Sequence, residues 1–570
     1  MRRFGVVSLV ALVYSMCAQI AAAQPWANRY FDPAGGERIP SCVRALAGGE
    51  YIVVGQAIDT KKKVSSGWIM RVGPDESNSG VMEVKWSRTY TNDTQERPSS
   101  ALTWVEPASD GGFVACGWVH ASNSAGDGGQ GWIVKLRASG EKVWSSAIGS
   151  NGTGQLRRVR VADDGSYVAA GYYAATVTVV GTDGWAVRMS RSGSLRWSAT
   201  YGEGGMDEFW DLRETSQGGC MVVGFLTQVL GARKVGWALG LSRSGKVQWQ
   251  KTYEGSENRE LTAVSAKADD RFVLAGNIDT PPSGNIGWLL KTSPIGDIDW
   301  QSGYSPVDGF PLYFSAVEQA PNGDILVAGR KPDGVTNAEK GGVAAGISSE
   351  GTTVEWADVM VGPWLGSVTA LDLSQDGVVW VGEVEGYHRQ PVGARDCLIL
   401  STTRSGEACQ DVSSALTIGR SPSASIVTDT SVRRVTGMSP TRLNTRVSLD
   451  PVAPAKYCTR PSLDQKLVLS RSPQSDGVTL SYVCPNSGRD TAPFKVRVFF
   501  SPSSSIPPVT GSELVLEVDV KDGLKSGQTI GPLYSINAKE DHIYAIALIY
   551  PDGKVDDIPV GQMILRVPLP

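Results

Sequence analysis

Histidine is scarce in this 570-residue chain, with three copies at His120, His388 and His542. No Cys-x-x-Cys occurs and the histidines are scattered, which excludes the usual tetrahedral zinc spacings. Also missing are a Gly-x-Ser-x-Gly elbow, a His-Glu-x-x-His helix and a Walker loop. The acidic pairs Asp163-Asp164, Asp269-Asp270 and Asp556-Asp557 do not extend into alternating oxygens ending in Glu, as a calcium loop requires, and read as turns. Neither sign of charge dominates: 54 Lys and Arg stand against 58 Asp and Glu, intermixed along the chain. Nucleic acid and anionic membrane are therefore not expected as partners. The longest apolar run, from Phe4 to about Met16, falls short of the ~20 residues needed to span a bilayer, and no membrane insertion is expected. Apolar stripes of helical period are absent, which excludes a helical repeat.

What the chain opens with is Arg2-Arg3, that short apolar run, and Ala21-Ala22-Ala23. This order predicts a signal peptide over residues 1–23, cleaved after Ala23, and a secreted or periplasmic protein. Loss of Arg2 and Arg3 would take the net charge from −4 to −6.

Seven of the eight cysteines lie beyond residue 23, an odd number that leaves at least one thiol unpaired within the chain. Cys458 and Cys484 bracket an expected hairpin and form the first disulfide candidate, worth about 3 kcal/mol by loop closure. Cys397 with Cys409 is the second. Cys116 and Cys220 sit in apolar strands and read as buried free thiols.

The organising feature is a repeat. A glycine after an apolar strand recurs at Gly55, Gly117, Gly171, Gly224, Gly276, Gly329 and Gly382, in steps of 52 to 62 residues. A Gly-Trp pair recurs at Trp68, Trp132, Trp185, Trp237 and Trp288. A Trp-x-x-x-Tyr recurs at Trp86/Tyr90, Trp197/Tyr201, Trp249/Tyr253 and Trp300/Tyr304. Each unit reads as four short strands separated by Gly/Asp/Ser turns, which is the pattern of a β-propeller blade. Seven glycines predict seven blades. The seventh unit lacks the Trp-x-x-x-Tyr strand, whereas Trp26 and Tyr30 near the amino terminus have that spacing with no first three strands. The amino-terminal strand is thus expected to complete the last blade and remove an open sheet edge. The recurring tryptophans are read as packing between blades.

The stretches "DGGFVACGW", "GWIVKLRASGEKVW" and "GWALGLSRSGKVQWQKTYEGSENRELTAV" resemble the β-propeller repeats of secreted bacterial proteins, over about residues 24–410. That resemblance implies the fold and leaves the function open, because the family spans adhesins and other surface proteins. "SRSGKVQW" is also similar to the tryptophan-docking repeat of quinoprotein dehydrogenases, but neither an adjacent cysteine pair nor a metal-ligand set accompanies it.

Residues 411–454 are rich in Ser and Thr and read as a linker or irregular β segment. Residues 455–570 alternate as six or seven strands, an expected immunoglobulin-like sandwich. "VTLSYVCPNSGRDTAPFKVRVFFS" and "HIYAIALIYPDGKVDD" resemble the bacterial cell-adhesion-related sandwich CARDB, with Asn486-x-Gly488, the strand at 494–501 and the Asp552-Gly553 turn as the matching marks. The resemblance implies a contact or spacer module. The Cys458/Cys484 pair lies outside that family's pattern.

The expected class is therefore all-β: a seven-bladed propeller closed by an amino-terminal strand, plus a carboxy-terminal sandwich. In such blades the tight turns share one face and the long second-to-third-strand loops the other, and ligand sites favour loops on a rigid scaffold. The long-loop side carries the binding candidates Trp118, His120, Tyr172, Trp210, Tyr387 and His388. Asp207, Glu208, Phe209, Phe310, Tyr313 and Trp364 join them on the connections between blades. Aromatic platforms with carboxylates suit an unidentified glycan, peptide or surface protein, bound by a monomer without a cofactor or metal. A ring of cations (Arg71, Lys135, Arg188, Lys291) is either an anion site or a set of partners for turn carboxylates such as Asp110 and Asp164. The alternative class is an exported propeller enzyme, a quinoprotein-like oxidoreductase or a glycan-active hydrolase or lyase. It calls for a convergent acid/base pair or a metal at the axial funnel.

Overall fold

The computed structural model describes residues 26–403, apart from loop segments 76–81, 93–98, 121–128, 150–151, 175–180, 228–232, 267–270, 282–283, 332–340, 361–364, 375–376 and 387–393. Beyond residue 403 it describes short strands between Ser413 and Pro568.

Seven antiparallel sheets form the seven blades of a propeller. The first four strands of blades 1 to 6 are consecutive and span 37–92, 100–148, 153–202, 208–254, 258–306 and 313–360. Blade 7 takes three strands from 365–402 and its fourth from Ala27–Phe31, which pairs with the strand at 394–402 in the register Tyr30↔Cys397. The amino-terminal strand thus closes the ring, and Trp26 packs on Tyr51 of blade 1 at 5.5 Å between ring centroids.

The three sequence registers are three layers of the joint between blades. The second-strand glycines face a one-residue bulge in the first strand. A Cβ on Gly117 would lie 2.0 Å from the carbonyl oxygen of Ala101, and one on Gly171 1.9 Å from that of Gln155. The Gly-Trp tryptophans are fully buried, and the glycine before each is the seat of the next blade's ring. A Cβ on Gly67 would meet Trp132 at 2.6 Å, one on Gly131 Trp185 at 2.4 Å, and one on Gly184 Trp237 at 2.8 Å. The indole N–H of Trp132 donates to Ser145 Oγ at 2.7 Å and that of Trp185 to Ser198 Oγ at 2.8 Å, so burial leaves neither donor unmet. In the Trp-x-x-x-Tyr strands the tyrosine hydroxyl donates to the carbonyl of the glycine in the next blade's turn between third and fourth strands: Tyr90 to Gly140, Tyr201 to Gly245, Tyr253 to Gly296 and Tyr304 to Gly351, at 2.6 to 2.9 Å. A large side chain on one blade and a glycine on its neighbour therefore recur together.

The Ser/Thr-rich segment forms seven short strands, and each adds a fifth, outermost strand to one blade. Ser413–Ala415 pairs with blade 6, Ile418–Pro422 with blade 5, Ile426–Thr428 with blade 4 and Arg433–Thr436 with blade 3. Pro440–Arg442 then pairs with blade 2, Thr445–Leu449 with blade 1, and Ala453–Lys456 with the amino-terminal strand in blade 7. The segment runs round the ring against the order of the blades. Its last strand ends at Lys456, two residues beyond the expected linker boundary at 454.

The strands after 456 form a three-stranded and a four-stranded antiparallel sheet, the latter built on Phe494–Ser501. Cys409, Cys458 and Cys484 lie outside the described residues. Cys397 is a free, buried thiol on the third strand of blade 7, which corrects the expected Cys397–Cys409 bond. The strand that carries it is enclosed between its neighbours, so its Sγ lies in the core beside Tyr30. Cys42, Cys116 and Cys220 are also free and buried.

Candidate functional site

First strands of neighbouring blades touch around the axis, and two rings of equivalent positions line it. The lower ring, toward the tight turns, consists of Arg44, Glu106, Arg160, Arg213, Ser265, Glu318 and Asp372 from blades 1 to 7. Arg158 and Asp211, two residues earlier in blades 3 and 4, join it. Arg44 pairs with Asp372 at 2.9 Å and with Glu106 at 3.4 Å. Arg160 pairs with Glu106, and with Asp211 at 3.4 Å; Arg158 lies 3.6 Å from Asp211. Arg213 of blade 4 reaches Glu318 of blade 6, and Ser265 Oγ donates to the same carboxylate at 2.9 Å. Four guanidinium groups thus meet four carboxylates. Trp104 lies among three of these guanidinium groups, with Arg158 4.1 Å from its ring centroid, and donates its N–H to Glu106 at 2.9 Å.

Burial opposes ionisation of Glu106 and Asp372 in this ring, and the cations beside each decide the result. Burial alone would lift Glu106, but Arg44 and Arg160 outweigh it and hold the carboxyl below its usual range. Asp372 has one guanidinium partner, and burial pushes it up to about 6 despite Arg44. Burial likewise pushes the nearby Cys42 thiol up to about 12. Each axial carboxylate is engaged by a cation, and the ring joins first strands of different blades. Among the described residues, no three His, Cys, Asp or Glu side chains are placed to hold a metal ion.

The upper ring, toward the long loops, is made by the first-strand bulges: Ser41, Thr103, Arg157, Trp210, Thr262, Ser315 and Thr369. A threonine here donates across the joint to the residue before the next bulge, as Thr103 does to the Leu156 carbonyl (2.7 Å) and Thr262 to that of Phe314 (2.8 Å). In blades 3 and 4 the position is held by Arg157 and Trp210. The Arg157 guanidinium lies 3.7 Å from the Trp210 ring centroid and 5.1 Å from that of Tyr172, and bonds Glu208 at 2.6 Å. Trp210 Nε1 and Arg157 Nε are shielded from solvent and have no hydrogen-bond partner among the described residues. Next along the rim, Lys234 covers the Phe225 ring at 4.1 Å and reaches Glu260 at 3.3 Å. On blade 6, Arg330 stands over Tyr313 at 4.6 Å.

Of the sequence candidates, Tyr172 and Trp210 meet through Arg157, and Trp118 packs on His120 at 5.5 Å on blade 2. All four are half-buried. Tyr387, His388 and Trp364 lie outside the described residues. Asp207 and Phe209 are fully buried, which corrects their reading as loop-surface groups. Phe209 stacks on Trp237 at 4.6 Å. Asp207 accepts the backbone N–H groups of Thr227 and Glu203, and burial pushes it up to about 6. Arg157 was not singled out from the sequence; its signal is an arginine where blades 2, 5 and 7 carry threonine. The four repeated cations on the third strands are engaged locally: Arg71 by Glu50, Lys135 by Asp110, Arg188 by Asp164, and Lys291 by the Ser349 carbonyl. They belong to the tight-turn side and hold turns.

No family model and no curated protein matches this chain. Among solved structures, the chain is similar to a puromycin hydrolase at TM-score 0.39 and 13% identity, over 79% of this chain and 59% of that one. It is also similar to Sqt1 from Chaetomium thermophilum at TM-score 0.37 and 13% identity, over 66% of this chain and 98% of that one. A eukaryotic initiation factor follows at TM-score 0.30 and 11% identity, over 69% of this chain and 96% of that one.

Proposed function

We propose that this is an exported, non-catalytic binding or adhesion-type protein whose propeller holds its ligand on the long-loop face, at the rim of blades 2 to 4. The observation that carries the proposal is the Arg157 guanidinium held between Tyr172 and Trp210 and oriented by Glu208. The group is a planar fork of donors bounded by aromatic faces and fixed on a strand rather than a loop. Aromatic faces suit the C–H faces of sugar rings or apolar peptide side chains, and the adjacent donors suit their hydroxyl or carbonyl oxygens. A glycan or an extended peptide on a surface protein is the fitting ligand class. In this reading the carboxy-terminal strands form a CARDB-like spacer or contact module, and the protein acts as a monomer outside the cytoplasm.

The test is a glycan and peptide array probed with the full chain and with Trp210→Ala and Arg157→Ala. Binding that both substitutions reduce at least tenfold supports the site. An identical array profile for parent and variants overturns it.

A further inference from the structure

The seven fifth strands pose a question that the binding site does not answer. A four-stranded blade leaves its outer edge with unpaired backbone groups, which is a template for association with other chains. Here one continuous segment covers all seven edges. It leaves the third strand of blade 7 at Thr402, passes along blades 6, 5, 4, 3, 2 and 1, and returns to blade 7 on the amino-terminal strand. The closing strand Ala27–Phe31 is thereby held on both edges, by residues 397–400 inside and by 453–456 outside.

Two features bear on how this belt behaves. Its strands make three to five residue pairs each, and the pairs with blades 2, 4 and 6 number three. An isolated strand that short has too few ladder bonds to hold itself against chain entropy. Between successive strands lie two to four residues, from the pair between Ala415 and Ile418 to the four between Thr428 and Arg433. At about 3.3–3.6 Å per extended residue, such connections reach at most about 10–18 Å. A strand docked on one blade therefore places its neighbours within reach of theirs and fixes their register, whereas a released strand draws on both sides.

We propose that residues 413–456 are a strap that docks on and leaves the propeller as one unit, so that the seven outer edges are covered together or bared together. Release of the strap would also free one edge of the strand that closes the ring. Bared, the molecule would present seven edge strands to other chains, and the strap's docking keeps the full chain from associating through them.

Hydrogen exchange followed by mass spectrometry on the full chain tests this. In the parent, amides across all seven strap strands are expected to share one opening rate in low denaturant. A spread of opening rates from blade to blade overturns the proposal, as does exchange at the rate of unfolded peptide throughout 413–456. Ile426→Pro and Val427→Pro, made separately, extend the test. Edge amides alternate in their pairing, so one of the two removes a ladder donor on blade 4. The effective variant should speed exchange at least tenfold in all seven strap strands, including 445–449 on blade 1, and should sediment as oligomers. Loss of protection confined to 426–428 overturns the proposal. If neither variant folds, the parent's opening rates decide.

Discussion

Gly131 of blade 2 and Trp185 of blade 3 share one volume: the indole ring lies where a Cβ on the glycine would be, 2.4 Å from it. Gly131→Ala should therefore destabilise by about 1–3 kcal/mol through overpacking. Trp185→Ala should cost about 3–5 kcal/mol through the cavity it leaves. The two losses should not add, because the new methyl occupies space the ring has vacated. Denaturant unfolding of the two single variants and the double variant checks this. Strict additivity would show that the two positions do not meet.

A pH dependence follows from Glu214, at the end of the first strand of blade 4. Its carboxylate accepts the Asp163 backbone N–H at 3.1 Å and lies 3.9 Å from the Arg188 guanidinium, with the Asp163 and Asp164 carboxylates also beside it. Burial first, and then Asp163, push Glu214 up to about 7 against the pull of Arg188. A carboxyl raised on folding favours the folded state fully below its unfolded pKa, and that contribution fades as pH rises through its folded value. Stability should thus fall between about pH 4.5 and 7 from this group. Asp207 and Asp372, each pushed up to about 6 by burial, act in the same direction. Glu214→Gln should remove its share, leaving the variant more stable than the parent by roughly 1–2 kcal/mol at pH 8 and near parity at pH 4.5. An equal difference at both pH values would contradict the assignment.

The thiols offer a direct check on the core. Burial pushes Cys42, Cys116 and Cys220 up to about 12 and holds Cys397 well above the usual thiol range. None should react with a maleimide in the native full chain at neutral pH. All four should label in denaturant without reductant, as read by peptide mass mapping. A Cys397 that labels only after reduction would show that it is held in a disulfide.

The blades were legible because the joints between them are written as pairs of unlike residues at fixed spacing. Trp132 needs Gly67, Tyr201 needs the Gly245 turn, and Gly171 needs the bulge beside Leu156. Each constraint repeats with the blade, so it shows as a period. The axial ring was not legible, because its positions share no residue type: Arg44, Glu106, Arg160, Arg213, Ser265, Glu318 and Asp372 become neighbours only after seven strands converge. The strap escaped reading for another reason. Strands such as Ser413–Ala415 and Pro440–Arg442 are too short to show alternation and take their partner from an edge already in place. Of the candidate site, the aromatic members Tyr172 and Trp210 were visible by type, although both lie in strands, Tyr167–Ala174 and Glu208–Glu214, and not in the expected loops. Arg157, which joins them, lies inside a strand, where a charged side chain signals nothing until the bulge turns it to the rim.

The strand at Ala27–Phe31 has a consequence for biosynthesis. It is the first of the described strands to leave the ribosome, yet its partners are Cys397 to Leu400 and Ala453 to Lys456. At translation rates of about 5–20 residues per second, the nascent chain carries this ribbon unpaired for roughly 20–80 s before either partner emerges. Six blades can assemble behind it in that interval, but the circle is finished only by polypeptide made near the end. Ring closure is therefore a late event separated by hundreds of residues in contact order, and a chain halted before residue 397 would keep its opening segment bare.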